Sequence, residues 1–173
     1  LEVLVTRDEE PGLFGASELE AGVLKCKYMI NVDSEEENAV CVGCAGGYVM
    51  HVRLPTPREA VEGYVRKTVV FNNFCGGHSG CDIGLGRASI IQQFGRFLKA
   101  LCVPVRLVTV DSGTAHNAIP RKLVAELAVP AEKAECFNKC MEKQFAAFKK
   151  EYHTIEANAT LTITDEGSEK LPL

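Results

Sequence analysis

From residue 64 onward the apolar patterning runs through six successive segments, and their order is the strongest constraint on the fold. Strand-like patterning at 64–74 gives way to a helical pattern at 86–101, then to strands at 104–110 and 122–129, a helix at 130–152 and a strand at 155–164. That succession is β-α-β-β-α-β, which predicts a ferredoxin-like split arrangement: an open sheet with both helices on one face. Pro130 followed by Ala131-Glu132-Lys133 suits the start of the second helix, with proline near the first turn and an acid close behind. A further strand is expected at 48–54, ahead of Pro55-Thr56-Pro57.

The first part of the chain reads differently. Leu1 to Thr6 is an apolar strand, 13–24 carries Leu13, Phe14, Ala16, Leu19 and Val23 at helical spacing, and Tyr28 to Val32 is a second apolar strand. This predicts a β-α-β unit with parallel strands and a right-handed crossover. The pattern changes near residue 46, so two domains are expected, 1–46 and 47–173. A chain whose first residues already lie in a core strand reads as a segment of something larger.

Charge separates the same two parts. Residues 1–40 hold 10 acids against 3 bases, a net of −7, and residues 41–173 hold 13 acids against 16 bases, a net of +3. The overall charge of −4 argues against a general nucleic-acid binder, and no apolar run is long enough to span a membrane. A dense carboxylate segment beside a mildly basic body suits a cation site facing a surface that receives an anionic group.

The acids have places to act. Asp8-Glu9-Glu10 follows the first expected strand and Asp33-Ser34-Glu35-Glu36-Glu37 follows the second. In parallel sheets the ligand crevice lies at the carboxyl ends of the strands, where clustered carboxylates can ligate a divalent ion or activate its water. Solvated loop acids are the competing reading. Eight cysteines without a visible secretory leader suit reduced, cytosolic thiols. Cys41-Val42-Gly43-Cys44 together with Cys136 and Cys140 offers a minor alternative, a four-cysteine zinc module.

Two loops carry polar groups on flexible backbone. Cys75-Gly76-Gly77-His78-Ser79-Gly80-Cys81 displays His78 and Ser79 among glycines, and it matches neither a phosphate loop, a dinucleotide fingerprint nor a nucleophile elbow. Gly113 to Arg121 displays Asn117, which both donates and accepts, and Arg121, whose fork suits a carboxylate. His51 and His153 read as incidental.

Five motifs in order resemble the aminoacylhistidine dipeptidases, cytosolic non-specific dipeptidases related to carnosinase and aminoacylase. They are Asp8-Glu9-Glu10-x-Gly12, Ile30-Asn31-x-Asp33-Ser34-Glu35-Glu36-Glu37, Gly43-Cys44-Ala45-Gly46-Gly47, Gly76-Gly77-His78-Ser79-Gly80 and Asn117-Ala118-Ile119-Pro120-Arg121. The resemblance implies a β-α-β piece of a zinc-peptidase catalytic domain at 1–46, followed by an incomplete lid or dimerisation domain at 47–173. It implies Glu9 as general base, Glu10 and Asp33 as metal ligands, His78 as the lid group that stabilises the oxyanion and Asn117 as a substrate-binding lid residue. It further implies a dipeptide substrate such as Xaa-His, two zinc ions in the complete protein with manganese or cobalt as substitutes, a homodimer and a cytoplasmic location.

The departures matter equally. The family site also takes an upstream His-x-Asp, a bridging aspartate and a histidine near the C-terminus, and this sequence has none of them. The segment is therefore expected to be inactive alone. A stand-alone lid-type interaction module is the alternative.

Overall fold

A computed structural model describes residues 1–10, 12–33, 37–43 and 48–166, and the chain divides into two compact units, Leu1–Tyr48 and Val49–Leu173. The first unit holds one short helix, α1 (Phe14–Ser17). The second runs β1 (Tyr64–Asn72), β2 (Gly77–His78), α2 (Ile90–Lys99), β3 (Arg106–Ser112), β4 (Ala118–Ile119), β5 (Leu123–Pro130), α3 (Ala134–Glu151) and β6 (Thr160–Asp165). Short 3-10 turns at Ile83–Leu85 and Ala131–Lys133 lead into the two long helices.

The larger unit follows the expected β-α-β-β-α-β order. Its main sheet reads β3-β5-β1-β6, and every neighbouring pair is antiparallel. Strand β1 alternates as its sequence requires: Lys67, Val69 and Phe71 point to one face and are buried, while Arg66, Thr68 and Val70 point to the other. Both helices cover that buried face. Phe94 and Phe97 from α2, with Phe137, Met141 and Phe148 from α3, share one core with Val69, Phe71, Leu123, Ala125 and Leu127. Phe71 stacks on Phe97 at 5.2 Å between ring centroids. Burying such a side chain contributes about 1.5–3 kcal/mol.

Lys67 is the odd member of this face. Its side chain is only 2% exposed, and its ammonium pairs with Asp165 at the end of β6, so the aliphatic stem is covered while the charge meets an acid. The helix expected at 86–101 begins later, at Ile90. Gly86 at φ 70 is left-handed and ends the preceding 3-10 turn, so the helix can propagate only beyond it. The helix expected at 130–152 also starts late, because Pro130 still closes β5 opposite Tyr64.

The expectations for the first unit and for 48–54 need correction. Neither 1–6 nor 28–32 forms a strand ladder, and 48–54 carries no strand. A strand is defined by a hydrogen-bonded partner, and two short segments without a covered face are marginal in water. Here Val5, Ile30 and Val32 are exposed instead. The helix expected at 13–24 shrinks to one turn, since Leu13 enters it at a left-handed φ of 59 and Gly22 sits at φ 85 beyond it. Short helices depend on packing, and Phe14 and Val23 are both 53% exposed.

What organises the first unit is polar. The Glu2 carboxylate accepts the backbone N–H groups of Lys25 and Cys26 at 3.0 Å each and the Cys26 thiol at 2.6 Å. The thiol bond holds Glu2 below the usual carboxylate range, and the same bond pushes the Cys26 thiol up. Among the described residues no helix is long and apolar enough to cross a membrane.

Candidate functional site

The glycine-rich loop and the Asn117 loop, which the sequence treats as separate features, are joined by a two-stranded ribbon. Strands β2 and β4 pair antiparallel, with Gly77 opposite Ile119 and His78 opposite Ala118. The Ser79 N–H extends the ribbon by donating to the Asn117 carbonyl at 2.7 Å. His78 and Asn117 are thus brought to one end of the same small structure.

Glycine is required where the ribbon turns. Gly76 and Gly77 lie at φ 61 and 137, in the region side chains avoid. A Cβ on Gly76 would meet the Ile119 carbonyl at 2.9 Å, and one on Gly77 would run into Asp82 and Arg87. Those two residues brace the loop from inside. Asp82 accepts the His78 N–H at 2.8 Å and pairs with Arg87 at 3.0 Å, while Arg87 donates to the Gly76 carbonyl at 2.7 Å.

The His78 ring is oriented by its own loop. Its Nδ1 accepts the backbone N–H groups of Gly80 at 3.1 Å and Cys81 at 3.3 Å. With Nδ1 committed as an acceptor, the neutral ring carries its proton on Nε2, so it presents an N–H donor.

Glu156 ties the whole loop down. The residue is completely buried, and its carboxylate accepts the Cys75 N–H at 2.8 Å and the Ala88 N–H at 2.9 Å, gripping the loop at both ends. Burial pushes the neighbouring Cys75 thiol up, the Glu156 charge adds to that, and the thiol donates to the Ile155 carbonyl at 2.8 Å.

Beside the ribbon lies a cleft of about 640 Å³ lined by His78, Thr114, Asn117, Arg87, Arg121 and Lys122 among others. Asp82 is the single acid in its wall, and Arg87 neutralises it. Arg121 and Lys122 are exposed at the cleft. The balance favours an anionic group such as a carboxylate, met by a guanidinium fork and by amide and imidazole donors.

Glu9, Glu10 and Asp33 lie in the first unit, all exposed. Their loop is set by the backbone: Asp8 takes a left-handed φ of 55, and the carbonyls of Asp8 and Glu9 accept the Phe14 and Leu13 N–H groups at 3.1 and 2.9 Å. The Asp33 N–H is held by Asn31 Oδ1 at 3.0 Å. Ser34, Glu35 and Glu36 lie outside the described residues, as do Pro11 and the Cys44 to Gly47 part of the third motif.

A zinc ion takes three or four protein ligands. Among the described residues no three His, Cys, Asp or Glu side chains come together in a way that could hold a metal ion. The described donors therefore do not complete a zinc site by themselves. The four-cysteine zinc module cannot be placed, since Cys44 is outside the described residues.

Asp82, Arg87 and Glu156 were not singled out by sequence reasoning. Asp82 and Arg87 flank the glycine loop and could have been suspected as its internal brace. Glu156 had no signal, being hidden at the start of an expected strand.

No protein-family model matches the chain. It is 35% identical over 176 aligned residues to cytosol non-specific dipeptidase from Escherichia coli (strain K12), an alignment covering 100% of this chain and 36% of that protein. It superposes on aminoacylhistidine dipeptidase from Vibrio alginolyticus with a TM-score of 0.73 and 32% identity, covering 95% of this chain and 34% of the other. The chain spans about a third of the length of these relatives.

Proposed function

We propose, from the premise that this chain matches the aminoacylhistidine dipeptidases along its whole length, that it is the lid-bearing part of a cytoplasmic, metal-dependent dipeptidase. In this reading 1–46 contributes acids to the catalytic domain and 47–173 is the lid. The pairing of β2 with β4, which sets His78 beside Asn117, is the observation that carries it.

The chain's own residues divide the work. Arg121 and Asn117 receive the anionic end of a dipeptide such as Xaa-His. The Nε2–H of His78 donates where negative charge develops on the scissile carbonyl oxygen, a position at which one donor is worth roughly 10²–10³ in turnover. Glu9 is the general base, and Glu10 and Asp33 are metal ligands. Zinc, with manganese or cobalt as substitutes, would polarise the carbonyl and supply the attacking water once a complete ligand set is present. A homodimer belongs to the same reading.

The 173-residue chain is accordingly inactive by itself. Titration with β-alanyl-histidine in the presence of zinc, followed by amide NMR and by product analysis, tests this. Shifts confined to His78, Asn117 and Arg121 with no hydrolysis are expected. Hydrolysis that Glu9→Ala abolishes would overturn the inactivity, and shifts that bypass these three residues would overturn the substrate assignment. The self-contained core of the larger unit supports a second reading, a lid-type interaction module without catalysis.

A further inference from the structure

Three of the described thiols, on Cys26, Cys41 and Cys75, each donate to an oxygen, on Glu2, Gly43 and Ile155. Where the loop after α2 meets the first turn of α3, sulfur faces sulfur instead. Cys102 of the loop and Cys136 of the helix are both free and exposed, and their Sγ atoms lie 3.8 Å apart.

The backbone anchors this contact. Cys102 precedes Val103 and Cys136 precedes Phe137, and both of those side chains are buried in the core that the helices share with the sheet. Close packing of these two neighbours fixes the chain beside each cysteine, while the thiols themselves stand at the surface, open to a solute. Cys140, one turn further along α3, also neighbours Cys102. Its own thiol, however, points to the Ala100 carbonyl at 4.0 Å, and its sulfur accepts Gln144 Nε2 at 3.5 Å. A metal reading is less suited, since among the described residues no three ligand side chains are arranged to hold an ion.

We propose that Cys102 and Cys136 are a redox modification site, closing to a reversible disulfide that ties the loop after α2 to the start of α3. The sulfurs must approach by roughly 1.8 Å to reach disulfide length. Rotation of the two exposed side chains about Cα–Cβ, with a small shift of the loop, covers that distance.

The oxidant is a small disulfide such as oxidised glutathione. One of the two cysteines, as its thiolate, attacks a glutathione sulfur, forming a mixed disulfide and expelling one glutathione thiolate. The other then attacks the protein sulfur of that mixed disulfide and expels the second glutathione. The two protein thiols lose two electrons and two protons, and one glutathione disulfide becomes two thiols.

The two cysteines are 34 residues apart in sequence, and the chain between them carries β3, the Asn117 loop and β5. A cross-link over that stretch restricts the unfolded chain, so oxidation stabilises the larger unit. It leaves the cleft open, since neither cysteine lines it.

The test is a peptide map of the 173-residue chain after incubation with oxidised glutathione and blocking with N-ethylmaleimide. Trypsin cleavage after Lys99 and Arg106 isolates Cys102, and cleavage after Lys133 and Lys139 isolates Cys136 from Cys140. The expected product is peptide 100–106 joined to peptide 134–139, a link that dithiothreitol reverses, that Cys136→Ser abolishes and that Cys140→Ser retains. The oxidised chain should also show a higher urea midpoint than the reduced one. A Cys102–Cys140 link, a lasting glutathione adduct on either cysteine, alkylation of both, or an oxidised midpoint no higher than the reduced one would overturn the proposal. The map of the unsubstituted chain decides the matter even where a variant fails to fold.

Discussion

Ser79 donates its backbone N–H to the carbonyl of Asn117 at 2.7 Å, and this bond fastens the two polar loops of the larger unit to each other. Its strength depends on the glycines before it. Alanine at Gly77 would have to adopt φ 137 and push its Cβ into Asp82 and Arg87. Gly77→Ala is expected to cost about 1–3 kcal/mol in urea unfolding. It should also expose the Ser79 amide to hydrogen exchange, and an amide as protected as in the parent chain would refute this account of the ribbon.

The tautomer of His78 is a separate expectation. Because Nδ1 accepts from Gly80 and Cys81, the neutral ring should carry its proton on Nε2. Nitrogen-detected NMR of the imidazole reads this directly. A proton on Nδ1 would remove the outward donor, and with it the oxyanion role proposed for this residue.

Glu156→Gln tests the clamp on the same loop. The carboxylate receives N–H groups on both oxygens, so an amide keeps one acceptor and turns an NH₂ group toward a donor. A loss of about 1–3 kcal/mol is expected in denaturant unfolding. The Glu156 charge also raises the Cys75 thiol, second to burial, so the variant's Cys75 should react faster with a disulfide reagent. Unchanged stability together with unchanged Cys75 reactivity would mean that Glu156 does not hold the loop.

The larger unit was legible because its elements are long and its two periods differ. Alternation over Tyr64–Asn72 and the helical spacing of Phe137, Met141 and Phe148 are local signals, and the ferredoxin-like strand order follows from their succession. The ribbon was illegible. Two strands of two residues each have no period to read, and their pairing depends on backbone turns at Gly76 and Gly77. His78 and Asn117 could be picked out by type, but their adjacency could not. In the first unit the apolar pattern suggested two strands and a long helix that do not form, because pattern alone supplies no partner. Val5 and Ile30 stay exposed, and what order there is runs through Glu2 and Cys26.

The last expectation concerns acid. Arg96 on α2 meets Glu151 at the end of α3 at 2.9 Å, and Arg96 also donates to the buried Gln93 at 2.8 Å, so the pair links the two helices over the core. The hydrogen bond from Arg96, and then its charge, hold Glu151 below the ordinary carboxylate range. A carboxylate whose folded value is depressed stabilises the fold above its unfolded value of about 4.3, and that contribution is lost as pH falls through the folded value. Glu151→Gln should therefore lower the urea midpoint near neutrality by a small amount, since both side chains are about half exposed. The difference from the parent chain should vanish well below the carboxylate range and shrink in high salt. A difference that persists in acid would show that Glu151 acts through packing rather than through its charge.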